Sequence, residues 1–138
     1  MTVVENKFHY NQMLVETNIK VHSTCEHHFV PIIGVAHIAY IPVMKILGLS
    51  KFNRLVDYYA RRPQIQERLT NDIITDLIST LETNNVAVVI DAAHMCVRLR
   101  GVKDQNTMTR TSALSGLFLN NSKVRLEFYN SVPRIECK

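Results

Sequence analysis

Cys25, Glu26, His27 and His28 set a thiol, a carboxylate and two imidazoles on four consecutive positions, and the chain turns apolar directly afterwards at Phe29-Val30-Pro31. The Cys25-x-x-His28 spacing lets a tight loop turn both side chains onto one centre, as sulfur and imidazole ligands of zinc do. A lone pair of this kind is a weak sign of metal, because it also arises by chance. A second cluster strengthens it. His94, Met95 and Cys96 lie in an apolar, β-branched run, where side chains alternate, so His94 and Cys96 share a face about 7 Å apart. One of those two can ligate while the other stands beside the ligand sphere. Cys25, His28 and Cys96 would supply three protein ligands and leave a fourth tetrahedral position to water, the arrangement of a catalytic zinc. His27 and His94 then remain to move protons, since an imidazole titrates close to physiological pH. Glu26 has no evident role and is expected to be exposed.

A third constellation is basic. Ser50, Lys51 and Arg54 fall in the first turn of a predicted helix, where free backbone N–H groups and the helix dipole favour an anion. Arg100, next to Gly101, follows the His94/Cys96 strand and can add a bidentate phosphate donor. Gln66 and Glu67 open a second helix. A carboxylate there can simply offset the dipole, or it can accept from a ligand edge carrying two N–H donors, as guanine does.

These groups need elements to hold them. Met13 to His22 ends in alternation and predicts a strand; Val35 to Ile41 predicts a second, closed by Pro42. The Cys25–His28 motif is thereby expected in a loop between strands. After Gly48 the period changes: Phe52, Leu55, Val56, Tyr59 and Ala60 share a helical face, with Ser50 as the expected N-cap. Arg62-Pro63 breaks that helix, and a second starts near Pro63, with Ile65, Leu69, Ile73, Leu77 and Leu81 on one side and an end near Asn84-Asn85. Val86 to Leu99 predicts a long buried strand and Thr107 to Phe118 a weaker one. Lys123 to Val132 fits either periodicity. The order predicts an α+β fold, an antiparallel sheet with two helices packed on one face.

The 138 residues predict a single domain over 1–138, with 46% hydrophobic and 20% charged residues as in ordinary globular chains. A formal charge of +4 suggests a small anionic ligand and not nucleic acid, because Lys and Arg are scattered without interleaved aromatics. The first residues lack the pattern of a signal peptide, and no stretch of about eighteen apolar residues exists, so a cytoplasmic location without membrane association is expected. Cys25, Cys96 and Cys137 are odd in number and far apart, which suits a reduced compartment; Cys137 is expected to be a free thiol.

The segments STCEHHFVP, GLSKFNRLVDYYARRPQIQERLT and NNVAVVIDAAHMCVRLRG together resemble the GTP cyclohydrolase I family, and the likeness runs over nearly the whole chain. The resemblance implies the tunnelling fold, in which sheets of several subunits join into an oligomeric barrel with active sites at subunit interfaces. It implies Zn2+ held by Cys25, His28 and Cys96, with His27 and His94 transferring protons. It implies GTP as substrate, with Gln66 and Glu67 in the guanine pocket and Ser50, Lys51, Arg54 and Arg100 at the triphosphate. The implied reaction is hydrolytic opening of the guanine imidazole ring at C8, loss of formate, and rearrangement to 7,8-dihydroneopterin triphosphate. Family members typically carry an N-terminal helical region ending in a Pro-x-Arg-x-x-x-Lys-like stretch. This chain begins after that point, so leaner triphosphate binding and a different assembly are expected. Two other classes give different expectations: a binding module would not need His27, His94 and Glu67 together, and a relative of the deazapurine nitrile reductase would use cysteine without zinc.

Overall fold

The computed structural model describes residues 3–95 and 107–134. Its elements run β1 (Val3–Glu5), β2 (Leu14–Cys25), β3 (Pro31–Tyr40), β4 (Lys45–Leu47), α1 (Leu49–Ala60), β5 (Pro63–Gln64), α2 (Gln66–Leu81), β6 (Val86–His94), β7 (Thr109–Leu114), α3 (Leu117–Asn120) and α4 (Ser122–Ser131). β1 and β4 form a small antiparallel pair, and the main sheet has the order β5-β2-β3-β6-β7. The sheet is mixed and not wholly antiparallel, because β5 runs parallel to β2 through Thr24↔Pro63 and Cys25↔Gln64.

Period-two alternation on β3 and β6 sorts the core. Ile32, Ala36, Ile38 and Tyr40 on β3 and Val86, Val88, Ile90 and Ala92 on β6 pack against α1 and α2. The intervening Ala39, Ala87 and Val89 pack against Phe118, Phe128 and Val132. Both faces therefore carry helices: α1 and α2 share one, as expected, and α3 and α4 take part of the other. Gly34 is where β3 meets β6, and a Cβ there would run into Asp91 O and the Ala92 backbone.

β2 covers both ends of this sheet only by changing register. Its pairing with β3 shifts between Glu16 and Ile19, and Asn18 sits at φ 60°, a bulge residue of a type that tolerates the left-handed region. The extra residue flips the alternation, so Leu14 before it and Ile19 and Val21 after it all join the α1/α2 core. Asn18 N–H donates to His37 Nδ1 at 3.0 Å. His37 Nε2 lies 3.7 Å from Asp91 Oδ2, and Arg110 closes on Asp91 through Nε at 2.6 Å and Nη2 at 2.8 Å. Burial pushes His37 below the ordinary imidazole range, against the pull of Asp91.

Two local expectations give way to tertiary structure. Pro63-Gln64, predicted to begin α2, instead extends β2's edge, because pairing to Thr24-Cys25 outweighs proline's preference for a first helical turn. Ser50 is not the N-cap: Gly48 occupies that position, with no side-chain cap. The ambiguous C-terminal segment is helical, capped by Asn121, whose side chain accepts from Lys123 N at 3.0 Å and Val124 N at 3.3 Å. Of the predicted strand Val86 to Leu99, the described part ends at His94; Cys96, Arg100 and Cys137 lie outside the described residues.

Candidate metal and nucleotide site

Cys25 is the last residue of β2, 8% exposed and at the margin of the core. It closes a tight loop on both sides: its N–H donates to Val30 O at 2.9 Å and its carbonyl accepts from Phe29 N at 2.9 Å. Phe29 takes φ 53° to make the return. The loop thus brings His28 Nδ1 to 3.8 Å from Cys25 Sγ. A zinc with S and N bonds of about 2.3 and 2.0 Å spaces two tetrahedral ligands roughly 3.5 Å apart, so this pair fits such an ion in donor type and separation. His27 is exposed beside it, its ring centroid 6.4 Å from that of His28. Among the described residues no group of three metal-binding side chains occurs, and the expected third ligand, Cys96, lies outside them.

Glu26 has a structural partner that the sequence did not disclose. Arg68, in the first turn of α2, grips its carboxylate with two 2.9 Å hydrogen bonds. Those bonds hold Glu26 below the usual carboxylate range and tie the Cys25–His28 loop to the helix that carries Gln66 and Glu67.

His94 ends β6 on the same face of the sheet. It lies opposite Ile32, which lies opposite Ser23 of β2, so two strand spacings, about 10 Å, separate it from the β2 backbone. His94 Nε2 is 2.6 Å from Gln66 Oε1. Burial lowers its pKa, with the charge of Glu67 pulling the other way. Gln66 itself is 1% exposed, whereas Glu67 next to it is open to solvent. Cys25, His27, His28, Gln66, Glu67 and His94 therefore gather at one end of the sheet.

Ser50, Lys51 and Arg54 do not join them. α1 and α2 run antiparallel: Tyr59 near the end of α1 donates to Asp76 Oδ2 at 2.6 Å, and Arg54 shares a cavity of about 560 Å³ with Tyr58, Asp76 and Thr80. The start of α1 is anchored by Phe52, whose ring lies 5.7 Å from that of Tyr40. Tyr40 is eight residues along β3 from Ile32, about 26 Å away. The α1 start, with no side chain capping its N–H groups, also borders a 520 Å³ apolar cavity lined by Phe8, Tyr10, Tyr40, Leu49 and Phe52. The basic set and the Cys/His set thus occupy opposite ends of one chain.

A family model described as GTP cyclohydrolase I matches residues 1–133. The chain is 52% identical over 132 residues to the GTP cyclohydrolase 1 of Enterobacter sp. (strain 638), 51% to that of Citrobacter koseri and 50% to that of Salmonella arizonae. Each match covers 96% of this chain and 60% of the relative, so the chain spans somewhat under two thirds of the length of these proteins. The crystal structure of an archaeosine synthase QueF-Like in the apo form aligns with a TM-score of 0.63 at 18% identity, over 75% of this chain and 93% of that one. At that identity the likeness is one of fold. No helix among the described residues is long and apolar enough to cross a membrane.

Proposed function

From the premise that the chain belongs to the GTP cyclohydrolase I family, we propose that it opens the guanine imidazole ring of GTP hydrolytically, releases formate and rearranges the remainder to 7,8-dihydroneopterin triphosphate. The observation that carries this reading is the 3.8 Å approach of Cys25 Sγ to His28 Nδ1 at the same sheet end as His94 and Glu67. Cys25 and His28, with Cys96, would hold a zinc ion. When bound, that ion acts as a Lewis acid that makes water nucleophilic near neutral pH.

The chain's own residues do the rest. Glu67 is exposed on the first turn of α2 and can accept two N–H bonds from the guanine edge, a match that selects this base. His94 and His27 carry protons to and from the ring nitrogens as the C–N bonds break. Ser50, Lys51, Arg54 and Arg100 take the triphosphate, the first three around the uncapped start of α1. Because about 26 Å of strand separates that start from the His94 level, Ser50, Lys51 and Arg54 of one copy serve the Cys/His end of another. The working unit is then a homo-oligomer with its sites between subunits.

The test is direct. Purified protein loaded with zinc and given GTP is expected to release one formate for each GTP consumed. GTP binding without formate would replace this reading with that of a zinc- and nucleotide-binding protein.

A further inference from the structure

Gln66 opens α2, but its side chain is spent inside the protein. The two hydrogens of its Nε2 are shared among three acceptors, Ile90 O at 3.0 Å, Thr109 O at 3.0 Å and Thr111 Oγ1 at 3.1 Å. The hydroxyls around it have one consistent arrangement. Thr70 Oγ1 donates to Gln66 O at 2.9 Å, so in its 2.7 Å contact with Thr111 it accepts the Thr111 proton. Thr111 Oγ1 is thereby left as an acceptor for the amide N–H. Turning the amide over would set Oε1 against two carbonyl oxygens and leave Nε2 only His94 to donate to, a buried mismatch that costs far more than it returns. Oε1 therefore faces His94 Nε2, 2.6 Å away, and an amide oxygen can only accept. The hydrogen of neutral His94 must be on Nε2.

We infer that Gln66 is a positioning residue whose amide fixes His94 as the Nε2–H tautomer, leaving Nδ1 as the one nitrogen through which His94 exchanges protons with the reacting molecule. The proton exchange rests on the reaction proposed above; the tautomer itself rests only on the hydrogen bonds. It also gives Gln66 a role different from a guanine contact, because its side chain is buried and already hydrogen-bonded at both ends. A second-layer group that selects an imidazole tautomer acts on the chemical step and leaves ground-state binding nearly untouched.

Two readouts test it. In 15N-histidine-labelled wild-type protein, with His94 assigned through a His94→Gln variant, long-range 1H–15N correlation should show a single Nε2–H tautomer for His94, with zinc or without. A Nδ1–H pattern or an exchanging mixture would overturn the inference without any change at Gln66. Gln66→Met, similar in volume but without polar atoms, should lose the single-tautomer pattern. Its kcat for formate release should fall by about a hundredfold or more, while KM for GTP stays within about threefold. An unchanged tautomer in that variant, or a raised KM with unchanged kcat, would show that Gln66 does not position His94. If the wild-type protein releases no formate, the proposed reaction fails, yet the tautomer measurement still decides the Gln66 assignment.

Discussion

The two ends of the α1/α2 layer are built on opposite principles. At the Cys/His end the polar groups are set by the fold: Cys25 is held through both of its backbone groups, Glu26 is gripped by Arg68, and His94 is met by an amide that is itself three times anchored. At the other end Ser50 and Arg54 are exposed on an uncapped helix start, next to apolar side chains left in solvent, Leu49 at 68% and Phe8 at 94% exposed. One end is held rigidly, as the proposed bond breaking requires, because small misplacements of reacting groups are expensive. The other is open, as a surface is when a second molecule completes it. Under the proposed function, that contrast makes each chain the donor of two half-sites.

Substitutions at the two ends should therefore fail differently. The largest effect is expected from Cys25→Ser, which would remove a proposed zinc ligand: zinc affinity should drop by more than about a hundredfold, beyond what losing an outer-shell partner costs, and turnover with it. Elemental analysis beside the formate assay checks this; full zinc occupancy in the variant would remove Cys25 from the metal. Lys51→Ala should keep its zinc and instead raise KM for GTP by about ten- to a hundredfold, the equivalent of one charge-assisted hydrogen bond of roughly 1.5–3 kcal/mol. Loss of metal in Lys51→Ala would merge the two ends that the structure separates. The smallest effect belongs to the α1/α2 seam between them. Asp76 accepts from Tyr59 and pushes its pKa up to about 12. The raised value means that this bond's contribution to stability is whole below the ordinary tyrosine pKa of about 10 and is lost as pH rises toward about 12. Burial raises the Tyr40 phenol as well, so phenolate absorbance should lose one of its late-titrating tyrosines in Tyr59→Phe, and denaturation midpoints of the two proteins should converge only at the alkaline end.

Much of the Cys/His end was legible in sequence, because its signals are short-range. The Cys25-x-x-His28 spacing fits a tight loop, and strand alternation correctly sets His94 on the same face as Ile90 and Ala92, the face turned to α1 and α2. What binds these groups in place was not legible. Gln66 reaches Ile90, Thr109 and Thr111, residues 24 to 45 positions away, and only the folded sheet makes them neighbours. The same holds for Arg68 and Glu26, 42 positions apart. At the other end the residue types are visible but not their distance from the chemistry. Helical periodicity gives α1 and α2 each a buried face, yet nothing in it says that they run antiparallel and carry Ser50, Lys51 and Arg54 away from His94. The bulge at Asn18 escaped for a related reason: it shifts the alternation of β2 midway, and Asn18 in isolation reads as an ordinary polar position. Asn121, by contrast, was an available cap signal that decides α4 for helix over strand.

The proposed site combines the Cys/His end of one copy with the α1 start of another, and complementation between two damaged chains is its sharpest test. Cys25→Ser and a Lys51→Ala/Arg54→Ala double variant would be co-expressed with different affinity tags, and mixed oligomers isolated through both. Formate release would then be measured at a GTP concentration where each variant alone is silent. Recovery is expected, because about a quarter of the sites in a random mixture join two intact halves. No recovery in mixed oligomers would contradict it, since a site drawn from a single chain always keeps one defect.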